Sequence, residues 1–145
     1  MITSSPGKAA DAERLGADEV VVSGDHEALA AHMGSFDLIL NTVSATHDIN
    51  PYLFLLKREG CMCLVGVPTE PLSVNAQGLV FGDHNLSGSF IGGVALTEEM
   101  LAFCADHNLT ADVEIMDIQD VNTAWHRLEN NDVRYRFVVD LASLR

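Results

Sequence analysis

The run Phe36-Asp-Leu-Ile-Leu-Asn41, followed after a helix-like segment by Gly60-Cys-Met-Cys-Leu-Val-Gly66, decides the fold class. Both runs are short and nearly continuous in apolar residues, the pattern of strands buried on both faces. Between them, residues 48–57 carry Leu53, Leu55 and Leu56 with Pro51 in the first turn, which reads as a helix. Strand, helix and strand in that order imply parallel neighbours joined by a right-handed crossover.

The same alternation extends both ways. Upstream, Ile2-Thr3-Ser4 looks like the end of a strand, and Ser5-Pro6 opens a helix through Ala9, Ala12 and Leu15 that stops at Gly16. Residues 19–22 form a second short strand, and Asp25 caps a helix carrying Ala28, Leu29 and Met33. Downstream, strand 61–67 ends at Pro68, a short helix is expected around 76–80, and strand 86–91 is bounded by Gly92-Gly93. Thr97-Glu98-Glu99 begins a helix that ends near Asn108. A half-exposed strand at 113–116 then precedes an amphipathic helix at 121–128 with Trp125 inward, and a strand at 136–140 closes the chain. There is no internal repeat, and no linker long enough to separate two domains.

At 145 residues the chain is one domain's worth. With 48% hydrophobic and 20% charged residues it has the composition of a globular protein, not a disordered one. Twenty-one acidic against eight basic side chains give a net charge of -13. Such a surface repels nucleic-acid backbones and anionic lipids, so neither is an expected partner. A phosphorylated ligand would need local positive charge. No apolar run approaches the roughly 20 residues of a membrane span and no leader pattern opens the chain, so a cytoplasmic protein is expected. Three cysteines (Cys61, Cys63 and Cys104) are too few and too odd in number for a disulfide framework. Cys61 and Cys63 share one side of a strand and read as core residues.

One part of the expected fold is absent from the text of the sequence. No G-x-G-x-x-G phosphate loop occurs, and residue 1 falls where a second strand should be ending. The expectation is a doubly wound, mostly parallel α/β sheet that lacks its first strand and glycine-rich loop. In spatial order 3-2-1-4-5-6 that strand is the central one. Each buried backbone group left unpaired beside it costs about 1–3 kcal/mol. Either another molecule's strand repairs the sheet, or the first twenty-odd residues repack or hang free.

The segments Ile2-Thr-Ser-Ser-Pro-Gly-Lys8, Leu15-Gly-Ala-Asp-Glu19, Phe36-Asp-Leu-Ile-Leu-Asn-Thr-Val43 and Gly88-Ser-Phe-Ile-Gly92, with Asn122-Thr-Ala-Trp-His-Arg-Leu-Glu129 and Asn131-Asp-Val-Arg-Tyr-Arg-Phe-Val-Val-Asp140, resemble a known family. It is that of the zinc-dependent, medium-chain alcohol dehydrogenases, in the branch of cinnamyl alcohol dehydrogenases and bacterial NADP-dependent aldehyde reductases. The likeness covers essentially the whole chain. It implies a partial NADP-binding Rossmann domain plus the C-terminal return segment over 1–145, with the zinc-binding catalytic domain absent.

The resemblance assigns cofactor contacts residue by residue. Thr3, Ser4, Ser5 and Lys8 match the family's pocket for the 2′-phosphate of NADP, where hydroxyls donate to phosphate oxygens and a lysine supplies positive charge. An NAD site would want an acidic residue at that strand end, and none is there. A plain helix cap also accounts for Ser5-Pro6. Thr42, Val43 and Ser44 match the contact with the nicotinamide-side ribose; Val65, Gly66 and Val67 match the carboxamide contact, and Ser89, Phe90 and Ile91 a third such segment. Core packing explains each of these equally well taken alone. Arg134 matches a position near the cofactor phosphates, or is a surface arginine facing a carboxylate.

Other chemistries find no support. The six histidines show no metal spacing, and no G-x-S-x-G elbow occurs. His47 follows a strand end and either approaches a substrate or is a loop histidine. Asp37 and Asn41 offer no paired carboxylates. The resemblance puts every zinc ligand in the absent domain, so no catalytic and no metal-ligating residue is expected here. Two functions remain. One is the NADP-side domain of an alcohol dehydrogenase, inactive as an isolated chain, with weak or no cofactor binding. The other is a non-catalytic module that dimerises through strand 86–91, whose ends are Leu86 and Ile91, with or without exchanged N-terminal segments, and binds no cofactor.

Overall fold

The structure is a computed structural model that describes residues 1–130 and 132–144; Asn131, which opens the last block quoted above, and Arg145 lie outside the described residues. The chain divides into two compact units at Ile91 and Gly92, so the Gly92-Gly93 pair marks a boundary that composition did not reveal.

In the first unit, β1 (Ile2–Thr3) and β2 (Val21–Val22) form a parallel two-stranded ladder, Ile2 opposite Val21 and Thr3 opposite Val22. Between them lie a 3-10 turn at Pro6–Lys8 and α1 (Ala9–Arg14). Gly16 ends this segment at φ 101°, a left-handed conformation that favours glycine. Helix α2 (His26–Ala31) starts where Asp25 accepts the Ala28 amide hydrogen at 3.0 Å. A separate parallel sheet runs in the order β3 (Phe36–Asn41), β4 (Leu56–Leu64), β5 (Asn85–Gly88). The crossovers carry α3 (Asn50–Leu53) and α4 (Ala76–Gly82).

Ile39, Met62 and Leu86 lie in register across the three strands. Their face packs on Ile49, Leu53, Leu56, Leu72 and Leu79, with Ile49, Leu53 and Met62 fully buried. Each such side chain stabilises the fold by about 1.5–3 kcal/mol. A second cluster of Val21, Leu29 and Leu55 draws in Ile2, Phe36 and Ile39, so β1 and β2 stay packed against β3.

Several expectations are corrected. The first twenty-odd residues do not hang free; they carry the β1–β2 ladder, and no strand pairing joins it to β3 among the described residues. Strand β3 is not buried on both faces: Leu38 and Leu40 are 60% and 58% exposed, because helices of this unit cover only the Ile39 face. Cys61 and Cys63, opposite those leucines, are half-buried rather than core. The helix expected at 48–57 shrinks to four residues. The amides of Ser35 and Phe36 bond the Leu55 carbonyl, and Leu56 pairs with Phe36, which turns the leucine run into the start of β4. Strand β5 stops at Gly88, leaving Ser89, Phe90 and Ile91 beyond it.

The second unit holds α5 (Val94–Asp106), β6 (Glu114–Asp117), α6 (Val121–Glu129) and β7 (Phe137–Asp140). Strands β6 and β7 pair in parallel, Glu114 opposite Phe137. Helix α6 is buried through Ala124. Trp125, one residue and about 100° further round the helix, is 65% exposed instead of inward, and its indole N–H donates to Glu129 at 3.1 Å.

Candidate functional site

Parallel pairing brings the carboxyl ends of β3, β4 and β5 to one edge, and the segments 42–44, 65–67 and 89–91 follow those ends directly. Asn41, the last residue of β3 and buried, ties two of them together. Its carbonyl accepts the amide hydrogens of Val65 (2.9 Å) and Gly66 (3.1 Å), while its Oδ1 accepts that of Val43 at 3.0 Å. The close approach needs glycine at 66: a Cβ there would stand 2.3 Å from the Val43 carbonyl oxygen. Ser89 joins through its amide, which donates to the Leu64 carbonyl at 3.0 Å. A cleft of about 670 Å³ opens at this edge, lined by Leu64, Gly66, Val67, Leu72, Ser89 and Phe90 among others. Open α/β sheets bind ligands outside the carboxyl ends of their strands.

The Thr3 group sits at the end of β1. Thr3 Oγ1 accepts the Ser5 amide hydrogen at 3.2 Å. Ser5 precedes the 3-10 turn, but its side chain makes no capping bond, so the helix-cap account does not use its hydroxyl. Lys8 is exposed and forms no ion pair among the described residues. The other side-chain cations of this unit are engaged: Lys57 with Asp37 at 2.8 Å, Arg58 with Asp83 at 3.2 Å and Arg14 with Asp11 at 3.7 Å. Among the described residues, Lys8 and the Ser4 and Ser5 hydroxyls thus offer charge and hydrogen bonds that no side-chain partner takes up.

His47 does not reach outward. Its Nε2 is 2.9 Å from Asn41 Nδ2 and its Nδ1 is 2.8 Å from the Ala45 carbonyl, so both ring nitrogens are engaged. Sequence reasoning passed over Asn41 as anything but a strand end; a lone polar residue closing an apolar run was the available signal. In the second unit, the Arg134 amide donates to Glu114 Oε1 at 2.8 Å. That bond, and then the Arg127 guanidinium at 2.7 Å, hold the Glu114 carboxyl below its ordinary value. Arg127 also meets Asp132 at 3.0 Å and lies 4.7 Å above the Phe137 ring. Another cleft, of about 520 Å³, is lined by Asp117, Asp120 and Asp140, whose charge repels phosphate. Among the described residues no group of three or more His, Cys, Asp or Glu side chains is disposed to hold a metal ion.

Parallel strands crossed by helices, with three strand ends brought to one edge and two of them lining a cleft, define a protein of the Rossmann, dinucleotide-fold class. Residues 1–106 match the family model described as zinc-binding dehydrogenase, and the chain belongs to that family. It is 51% identical to a probable cinnamyl alcohol dehydrogenase of Oryza sativa over 99% of its own length and 39% of that protein's. It is 46% identical to the aldehyde reductase YahK of Escherichia coli, covering 98% of this chain and 41% of that one. Among solved structures, a cinnamyl alcohol dehydrogenase of Sorghum bicolor superposes with a TM-score of 0.94 at 46% identity, over 99% of this chain and 41% of that one. One from Helicobacter pylori, solved with NADP(H), gives 0.83 at 25% identity over 97% and 40%. The chain spans about 40% of the length of these relatives.

Proposed function

We propose that this chain is the cofactor-side part of an NADP(H)-dependent zinc alcohol dehydrogenase, which interconverts alcohols and aldehydes by hydride transfer. The observation that carries the reading is the exposed Lys8 beside Ser4 and Ser5, which no carboxylate or helix cap engages among the described residues. Lys8 and the hydroxyls of Thr3, Ser4 and Ser5 would hold the 2′-phosphate. The segments 42–44, 65–67 and 89–91 would meet the nicotinamide end through backbone groups. Arg134, in the other unit, is assigned to the cofactor phosphates on the family resemblance alone. The nicotinamide, when bound, supplies the hydride. The described residues do not fit zinc, since no three His, Cys, Asp or Glu side chains are grouped to hold an ion. In this reading the protein is cytoplasmic, the cofactor binds the isolated chain weakly or not at all, and the 145 residues alone turn over no substrate.

The edge position of β5 favours a second reading. Phe90 and Ile91 just beyond it are 87% and 81% exposed, and an unpaired strand edge flanked by apolar residues pairs readily with another copy. The chain would then be a homodimerisation module without cofactor. Calorimetric titration with NADPH separates the two. Micromolar binding lost in Lys8→Ala supports the cofactor reading; no heat beside a stable dimer by light scattering supports the module. Reduction of a benzaldehyde-type substrate by the purified chain with NADPH would overturn the proposal of inactivity.

A further inference from the structure

We infer that Asn41 and His47 form a clasp that fixes the 42–44 turn, and that the clasp holds the His47 ring as the neutral tautomer carrying its proton on Nδ1. The argument is one of matching donors to acceptors. The Val43 amide can only donate, so the side-chain atom of Asn41 facing it at 3.0 Å is the oxygen. The NH2 of Asn41 therefore faces His47 Nε2 at 2.9 Å, and that nitrogen must accept. The Ala45 carbonyl can only accept, so Nδ1, 2.8 Å away, carries the hydrogen. One protonation state satisfies all three contacts. A proton on Nε2 would confront the amide hydrogens of Asn41, and rotating that amide would take the acceptor away from the Val43 N–H.

The turn is thus held from two sides. The clasp anchors it through the Val43 amide, and Gly66 lies against the Thr42 and Val43 carbonyls, which leaves no room for a side chain. Asn41 and His47 are positioning residues: the consequence for a cofactor rests on the reading of 42–44 as a contact, but the clasp itself does not.

The test is ring-nitrogen NMR of the 15N-labelled chain at about pH 8, above the ordinary imidazole value of about 6.5. His47 is expected to show the Nδ1–H pattern, with the exposed His26 as a mixed-tautomer reference. In a second arm, His47→Ala is expected to speed Val43 amide exchange about tenfold, with Met62 unmoved. His47→Gln, whose side-chain oxygen can accept from Asn41, is expected to restore protection. An Nε2–H pattern in the wild type, or Val43 exchange equal in wild type and His47→Ala, would overturn the clasp. A blank NADPH titration would bear on the cofactor reading alone and leave these results untouched.

Discussion

At Gly66 the site depends on the absence of a single methyl group. An added Cβ would stand 2.3 Å from the Val43 oxygen and 2.5 Å from its carbonyl carbon, both backbone atoms of a residue whose amide Asn41 holds. Gly66→Ala should therefore lower stability by about 1–3 kcal/mol, as overpacking does. Gly88→Ala is the control, since its Cβ meets nothing nearer than the Leu64 oxygen at 3.7 Å. That change should lie within about 0.5 kcal/mol of the wild type. Urea midpoints at unchanged slope measure both, and equal midpoints for the two variants would refute the close-packing account. The family resemblance singled out Gly66 as a cofactor contact, but its close contact with a second strand end was not legible in the sequence. Asn41 was less legible still. Its bonds to Val43 and His47 are local, yet those to Val65 and Gly66 cross from one strand to the next, and no spacing rule reports them.

Elements were legible where one strand or helix supplied its own signal. The apolar runs gave β3 and β4, and Asp25 gave the start of α2. They were misread where a neighbour decided: Leu55 and Leu56 have helical spacing, yet pairing with the segment 35–36 makes them the start of a strand. The β6–α6–β7 element shows the same dependence on non-local partners. Glu114 on β6 receives the Arg134 amide hydrogen and the Arg127 guanidinium, which joins strand, helix and the segment before β7. Its carboxyl is held below the ordinary 4.5, first by the Arg134 amide and then by Arg127. A depressed folded value contributes stability that is present above the unfolded value and lost as pH falls through the folded one. Urea midpoints followed through Trp125, the single tryptophan and a reporter of this unit, should therefore fall as pH drops below 4.5. Glu114→Gln should be less stable at pH 7 and show a shallower decline below 4.5. Parallel curves for the two proteins would show that the contact contributes nothing to folding.

For the whole molecule, strand–helix alternation announced parallel sheets correctly, while the division at Gly92 depends on packing that periodicity does not encode. The break between β1 and β3 has a thermodynamic consequence. Two strands of two residues each are marginal alone, and here side chains around Val21, Leu29 and Leu55, not backbone bonds, attach them to the larger sheet. The β1–β2 ladder should open well before the β3–β5 sheet. In native-state exchange, the Ser23 amide, bonded to the Thr3 carbonyl, should exchange at least about tenfold faster than the Val65 amide, bonded to Asn41. Running the experiment at two protein concentrations adds a further discrimination. If Ser23 is as protected as Val65 and its protection grows with concentration, a strand from a second copy lies between β1 and β3, and the N-terminal segments are shared between molecules. Equal protection that ignores concentration would mean that side-chain packing alone holds the ladder as firmly as a continuous sheet, and the predicted order of opening would be wrong.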